Sequence, residues 1–180
     1  MSAAIEGVKI RSAMPARYRI RRATKRDIPV LVRHRIEMFH SMMKVPRGDA
    51  ALIAAGFRRH LGKALPAGEY LGWVAECGGE VVAGAGVVPR RLLPRPRAPR
   101  GGMEAYVLNV YTEPAHRRRG VARRLMREVM AWARRRKAVQ VVLHASDMGR
   151  PVYEGLGFEA GREMRVRIRA RGGRSSRGVR

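Results

Sequence analysis

The spacing of apolar residues changes several times along this chain, and each change predicts an element. Tyr18-Arg19-Ile20-Arg21 alternates, which is the spacing of a first strand. Thr24-Lys25-Arg26-Asp27 has the form of a capping box, with Thr24 capping a helix and Asp27 returning the bond. Ile28, Leu31, Val32, Ile36 and Phe39 then recur at helical spacing and predict its apolar face. Pro46-Arg47-Gly48 breaks the pattern. Asp49 can cap a second helix with Leu52, Ile53, Phe57 and Leu61 turned inward, and Gly62 and Pro66 mark its end region. Residues 71–76 and 81–88 read as two strands around a Gly78-Gly79 turn. Residues 89–102, with four prolines and several arginines, read as an irregular excursion that either borders a substrate mouth or is a solvated basic loop.

The second half is more regular. Tyr106 to Tyr111 predicts a strand, and a helix follows to about Arg136. Val121, Leu125, Val129 and Trp132 form its core-facing stripe, while Arg135, Arg136 and Lys137 close the last turn, where positive charge suits the carbonyl end. Residues 139–143 are nearly continuously apolar, the pattern of a buried central strand. A short helix over 150–156 ends at Gly157, and Met164, Val166 and Ile168 alternate with arginines in a last strand. Strands alternating with helices make the chain α/β.

Between the 106–111 strand and its helix stands Arg117-Arg118-Arg119-Gly120-Val121-Ala122. A glycine loop at a helix start leaves backbone N–H groups unpaired, and the helix dipole adds to their field. Such a loop suits a phosphate or pyrophosphate. An ordinary helix start is the other reading. No Gly-Lys-Ser/Thr follows, and one glycine is too few for a dinucleotide fingerprint.

Arg117 to Ala122 resembles the Arg/Gln-x-x-Gly-x-Gly/Ala segment of the GCN5-related N-acetyltransferase (GNAT) superfamily. Residues 149–158, with Tyr153-Glu154-Gly155-Leu156-Gly157-Phe158, resemble that superfamily's closing Tyr-Glu-x-Leu-Gly-Phe motif. The match covers roughly residues 104–158, and strand order extends it to about residue 18. The resemblance implies a single-domain acyl-CoA N-acyltransferase fold, a mixed central sheet splayed at the cofactor cleft with flanking helices. It implies acetyl-CoA as acetyl donor. Main-chain groups around Val110, Tyr111 and Thr112 would hold the pantetheine arm, and Arg117, Arg118, Arg119, Gly120, Val121 and Ala122 the pyrophosphate. Ser146 is a further cofactor contact or merely a turn former. Many family members have two strands after the Gly-Phe element, and this chain has room for one clear strand.

Acetyl transfer to an amine needs proximity, a polarised thioester and proton handling, and no protein nucleophile. Tyr153 corresponds to the family's general acid toward the coenzyme thiolate; its other reading is a packing ring. Two residues compete for the general base. Glu104 starts the cofactor strand, and His144 ends the buried strand near Asp147. Either is also ordinary where it stands. Asn109 and Tyr111 lie opposite Val110 and shape an acyl or substrate pocket or face the first helices. The five histidines form no metal spacing, and no metal is expected.

Composition narrows the class without choosing a substrate. The 180 residues suit one domain, and the hydrophobic share of 46% is that of a globular protein. Basic residues number 39 against 14 acidic, for a net charge of +25. That bias favours anionic partners, including non-specific nucleic acid. Cys77 is the only cysteine, so no internal disulfide forms, and the cytoplasm is the expected compartment. No membrane association is expected. Residues 1–16 read as a loose basic arm, 17–169 as the GNAT domain and 170–180 as a disordered basic tail. The expected partner is an amine-bearing small molecule or peptide, and a homodimer stays open. Two other readings stand beside the enzyme: a nucleic-acid or ribosome-associated binding protein on the same scaffold, and a cofactor-binding regulatory domain without turnover.

Overall fold

The computed structural model describes residues 17–166, apart from Arg97 and the side chain of Arg47. Within them one mixed sheet of five strands runs in the order β1-β2-β3-β4-β5. The strands are β1 (Arg19–Arg22), β2 (Leu71–Cys77), β3 (Glu80–Leu92), β4 (Gly102–Thr112) and β5 (Gln140–Leu143). The first four pair antiparallel in sequence, and β5 pairs parallel with β4. Helices α1 (Ile28–Met42) and α2 (Arg47–Ala67) cover one face, α3 (Val121–Arg135) covers the other, and α4 (Arg150–Glu154) packs beside α3.

Strand alternation sorts the core into two layers. Trp73, Ala75, Ala85, Val87, Ala105 and Val107 meet Val121, Leu125, Met126 and Val129 of α3. Val74, Val88 and Leu108 meet Leu31, Val32 and Leu61 on the other side. Leu125 is wholly buried, and burying such a side chain contributes about 1.5–3 kcal/mol. The capping box at the entry to α1 forms, with the Thr24 N–H donating to Asp27 Oδ2 at 2.7 Å. Asp27 also accepts two bonds from Arg21, each 2.8 Å, which ties β1 to the helix start.

The structure departs from the sequence expectations at six places. Asp49 does not cap α2. The helix begins at Arg47 behind Pro46, whose φ of −58° already suits a helix start, and Asp49 falls in the first turn, where its charge suits the dipole. Leu52 is 74% exposed, because that register turns Ile53, Phe57, Leu61 and Ala64 inward instead. Gly62 does not interrupt α2, which runs through Pro66 and stops at Gly68 with φ 74°.

Pro89 is in a strand, not a loop: β3 continues to Leu92, and only residues 93–101 separate it from β4. A proline is tolerated there because β2 stops pairing at Val87, which leaves one edge of β3 without a ladder. β5 is an edge strand among the described residues, with all four residues half-buried. The expected strand after residue 163 is not formed where it is described. Met164 and Val166 have no strand conformation and are 94% and 79% exposed. Residues 167–169, the arm at 1–16 and the tail at 170–180 lie outside the described residues. Among the described residues no helix is long and apolar enough to cross a membrane.

Candidate active site

The site begins with two strands of unequal length. β4 has 11 residues and β5 has four. Their pairing runs from Glu104 opposite Gln140 to Val107 opposite Leu143 and then stops. Beyond that point β4 continues to Thr112 while the chain leaves β5 at His144 and turns toward α4. Main-chain groups of Leu108–Thr112 that point away from β3 have no ladder partner among the described residues. The result is a gap with hydrogen-bonding backbone on its β4 side. It is the splay expected around Val110, Tyr111 and Thr112.

A bulge shapes that same segment. Gly86 pairs with Leu108 and Gly84 with Tyr111, so Asn109 and Val110 stand opposite one residue, Ala85. Asn109 takes φ 55°, a left-handed conformation that asparagine tolerates better than most residues. Val110 packs toward the α3 layer. Asn109 and Tyr111 face α1 instead: Arg35 donates to Asn109 Oδ1, and the Tyr111 ring lies 5.1 Å from that of His34. His34 is itself buried, with Nε2 at 3.3 Å from Glu113, and burial holds its pKa down.

The loop before α3 lies at the end of the gap. Arg118 and Gly120 have φ of 59° and 74°. Alternating left- and right-handed residues turn successive N–H groups to one side. No acceptor is found among the described residues for the N–H groups of Arg118 through Arg123; the next, Arg124, donates to Gly120 O at 3.1 Å. A Cβ added at Gly120 would meet no protein atom within 4 Å, so the space next to the loop there is open. An anionic diphosphate fits these donors and this opening. Arg118 and Arg119 are exposed beside them, Val121 is in the core, and Ala122 is half-buried. Arg117 turns back, its Nε donating to Thr112 O at 3.0 Å. It therefore braces the end of β4.

Tyr153 is buried on α4, edge-on to Phe158 at 5.9 Å. Burial pushes its phenol pKa up, so the hydroxyl holds its proton. Ser146 accepts from the Gly149 N–H at 3.2 Å and shapes the turn into α4. Glu104 is buried and faces Gln140, with Arg90 at 3.8 Å. His144 is more open, with Nδ1 at 2.8 Å from the Tyr106 hydroxyl and Nε2 at 3.3 Å from Glu163. The two candidate bases are thus on neighbouring strands but in separate networks. Glu104 is at the closed end of the β4–β5 pairing, and His144 follows the last paired residue.

Tyr106 was not singled out by sequence reasoning. Strand alternation puts it on the face of Glu104 and Leu108, and its pairing opposite Val142 sets it two residues from His144 in register. That alternation was the available signal. Arg35 carried no such signal, since one arginine among so many basic residues does not stand out.

A single α/β domain whose sheet opens between two parallel strands, with an N–H-lined loop at a helix start beside the opening, has the acyl-CoA N-acyltransferase fold. The profile of the Acetyltransferase (GNAT) family matches residues 37–158, and the chain belongs to that family. It is similar to a GCN5-related N-acetyltransferase from Ralstonia eutropha, with 34% identity and a TM-score of 0.78 over 84% of this chain and 98% of that one. A predicted acetyltransferase from Clostridium acetobutylicum, solved with acetyl-CoA, is 27% identical, with a TM-score of 0.76 over 84% of this chain and 96% of that one. Among curated proteins, rat N-acetyltransferase 8B is 32% identical over 90 residues, 48% of this chain. The matched part spans 38% of that rat protein's length.

Proposed function

We propose that this protein moves an acetyl group from acetyl-CoA directly to a primary amine of a small molecule or peptide. The observation that carries this reading is the run of unpaired N–H groups from Arg118 to Arg123, set at the end of the gap between β4 and β5. The family membership and the acetyl-CoA held by the Clostridium relative support it.

In this reading acetyl-CoA supplies an activated acyl group on a thiol leaving group. The loop at 118–123 binds the diphosphate, and unpaired backbone of Leu108–Thr112 holds the pantetheine arm. A main-chain N–H near Val110 polarises the thioester carbonyl. The amine nitrogen forms the new bond to the acyl carbon as the carbon–sulfur bond breaks. We assign the leaving amine proton to His144, directly or through Tyr106, because His144 adjoins the opening whereas Glu104 is held by Gln140 and Arg90. Tyr153 returns a proton to the thiolate. The cytoplasm is the compartment we propose, on the lone Cys77 that has no internal disulfide partner.

The test is a screen for coenzyme A thiol release over amines, amino acids, peptides and aminoglycosides. Amine-dependent release with a mass gain of one acetyl group supports the reading. Tight acetyl-CoA binding with no transfer to any acceptor would refute it in favour of a regulatory domain.

A second reading, nucleic-acid or ribosome association, is favoured by one observation. Arg123, Arg124, Arg127, Arg134, Arg135, Arg136 and Lys137 are all exposed on or just after α3. Binding of this kind is electrostatic, with little sequence preference and steep loss on adding salt. A salt-resistant, sequence-selective complex with labelled RNA would promote it above the enzyme.

A further inference from the structure

A cavity of about 380 Å³ lies between α1, α2 and β4, lined by Arg35, Ile53, Phe57, His60, Tyr70 and Leu108 among others. Its walls are largely apolar and aromatic, with the guanidinium of Arg35 and the imidazole of His60 among the described lining residues. Half-buried Arg21, by contrast, binds the carboxylates of Asp27 and Glu76. Arg35 has no carboxylate within ion-pair distance among the described residues. Its polar contact is one neutral acceptor, Asn109 Oδ1, and its Nε is buried without any acceptor. The rings of Phe39 and Phe57 lie 4.8 and 4.7 Å from the guanidinium carbon. A guanidinium has five N–H donors, so most of those on Arg35 have no protein acceptor among the described residues. Burial pulls its pKa down.

The cavity also adjoins the proposed chemistry. Leu108 lines it, and Asn109, which holds Arg35 and reaches the Tyr70 hydroxyl at 3.3 Å, is the left-handed residue of the β4 bulge. Both belong to the part of β4 that has lost β5. A ligand anchored at Arg35 is therefore held against the strand proposed to carry the thioester.

Resting on the acetyl-transfer reading, we propose that this cavity selects an acceptor amine that also carries a carboxylate, an α-amino acid with an apolar side chain. The fork of Arg35 matches a carboxylate, and one cation matches a monoanion. Phe57, Ile53 and Leu108 take the apolar body. The amine, one carbon from the carboxylate, stays close to β4.

The experiment uses the full chain with L-phenylalanine, phenylalaninamide, phenethylamine and phosphoethanolamine as probes. Binding is measured by calorimetry in the presence of coenzyme A, and transfer by kcat/KM with acetyl-CoA. Phenylalanine is expected to bind roughly 10- to 100-fold more tightly than its amide, the range for hydrogen bonds to a charged group. Arg35→Met abolishes that preference, and Arg35→Lys keeps part of it. Arg35→Met is also expected to melt no lower than the wild type, because it removes a cation without a carboxylate. If Arg35→Met fails to fold, the Arg35→Lys variant and the wild-type ligand series still decide the matter. Equal binding of phenylalanine and its amide, no binding of phenylalanine, or preference for phosphoethanolamine overturns the carboxylate assignment. Transfer to phenethylamine as fast as to phenylalanine removes the anion site and leaves acetyl transfer standing. Arg35-dependent binding of phenylalanine with no transfer to any amine does the reverse.

Discussion

The Tyr106 hydroxyl meets His144 Nδ1 at 2.8 Å, joining β4 to the residue that follows β5 where the two strands part. A bond there fixes the imidazole at the mouth of the opening, and Glu163 faces its other nitrogen at 3.3 Å. If His144 takes the amine proton, His144→Gln should lower single-turnover acetyl transfer by about 10²–10⁴-fold while acetyl-CoA still binds. Tyr106→Phe should cost less if the proton passes directly to His144, and about as much if it passes through the Tyr106 hydroxyl. Glu104→Gln, measured alongside, is the control for the competing base. If Glu104→Gln shows the large loss and His144→Gln none, the assignment passes to Glu104.

Tyr153→Phe should keep the fold and acetyl-CoA affinity and slow the chemical step. The ring still packs on Phe158, and only the hydroxyl is lost. The expected loss is about 10²–10⁴-fold in single-turnover rate at saturating acetyl-CoA. Because burial raises the phenol's pKa, its acid form persists beyond the ordinary value of about 10, so Tyr153 should cause no fall in rate below that pH. A wild-type rate in the variant makes Tyr153 a packing residue, and a loss confined to affinity makes it a pocket residue.

Gly120→Val tests the diphosphate loop. No protein atom lies within 4 Å of an added Cβ, so the expected effects come from the left-handed φ of 74° and from the ligand's path. Holding a non-glycine residue in that conformation costs about 1–2 kcal/mol, and a bulky one more. Acetyl-CoA affinity should fall by at least about tenfold, while Arg118→Ala and Arg119→Ala should each matter less because main-chain donors remain. An unchanged dissociation constant in a folded Gly120→Val protein removes the diphosphate from this loop.

Asp27 gives the protein an acid-sensitive joint. The hydrogen bonds from Arg21, then those from the Thr24 backbone and hydroxyl, hold its carboxyl below the ordinary value despite burial. A depressed folded-state pKa stabilises above the unfolded value, and that contribution is lost as pH falls below about 4 through the folded value. Asp27→Asn should cost about 1.5–3 kcal/mol at pH 7, as for hydrogen bonds to a charged group. It should also flatten the decline in stability between pH 4 and lower values. Urea unfolding of both proteins across that range is the measurement, and parallel pH curves would show that Asp27 is not the titrating group.

Local order along the chain was legible before any contact was known. The stripe of Val121, Leu125 and Val129 specified α3, the Thr24–Asp27 box specified the entry to α1, and the Gly78-Gly79 turn specified the β2–β3 hairpin, because periodicity, caps and turns depend on near neighbours. The glycine loop at 117–122 belongs to the same class, since its φ values and unpaired N–H groups follow from residues next to one another.

Tertiary structure decided the rest. An apolar run at 139–143 reads as central, yet among the described residues it is the edge strand, which depends on which strands pair around it. Leu52 and Ile53 are adjacent apolar residues, and the register of α2 against the sheet chose Ile53 for the interior. Arg35 is one arginine among many until packing sets it against Asn109 of the bulge, 74 positions away, and in the lining of the cavity. Pairing between β4 and β5 likewise brings Tyr106 to His144, 38 positions away. Burial and long-range pairing are properties of the whole packed chain, so the residues whose roles depend on them carry no local mark.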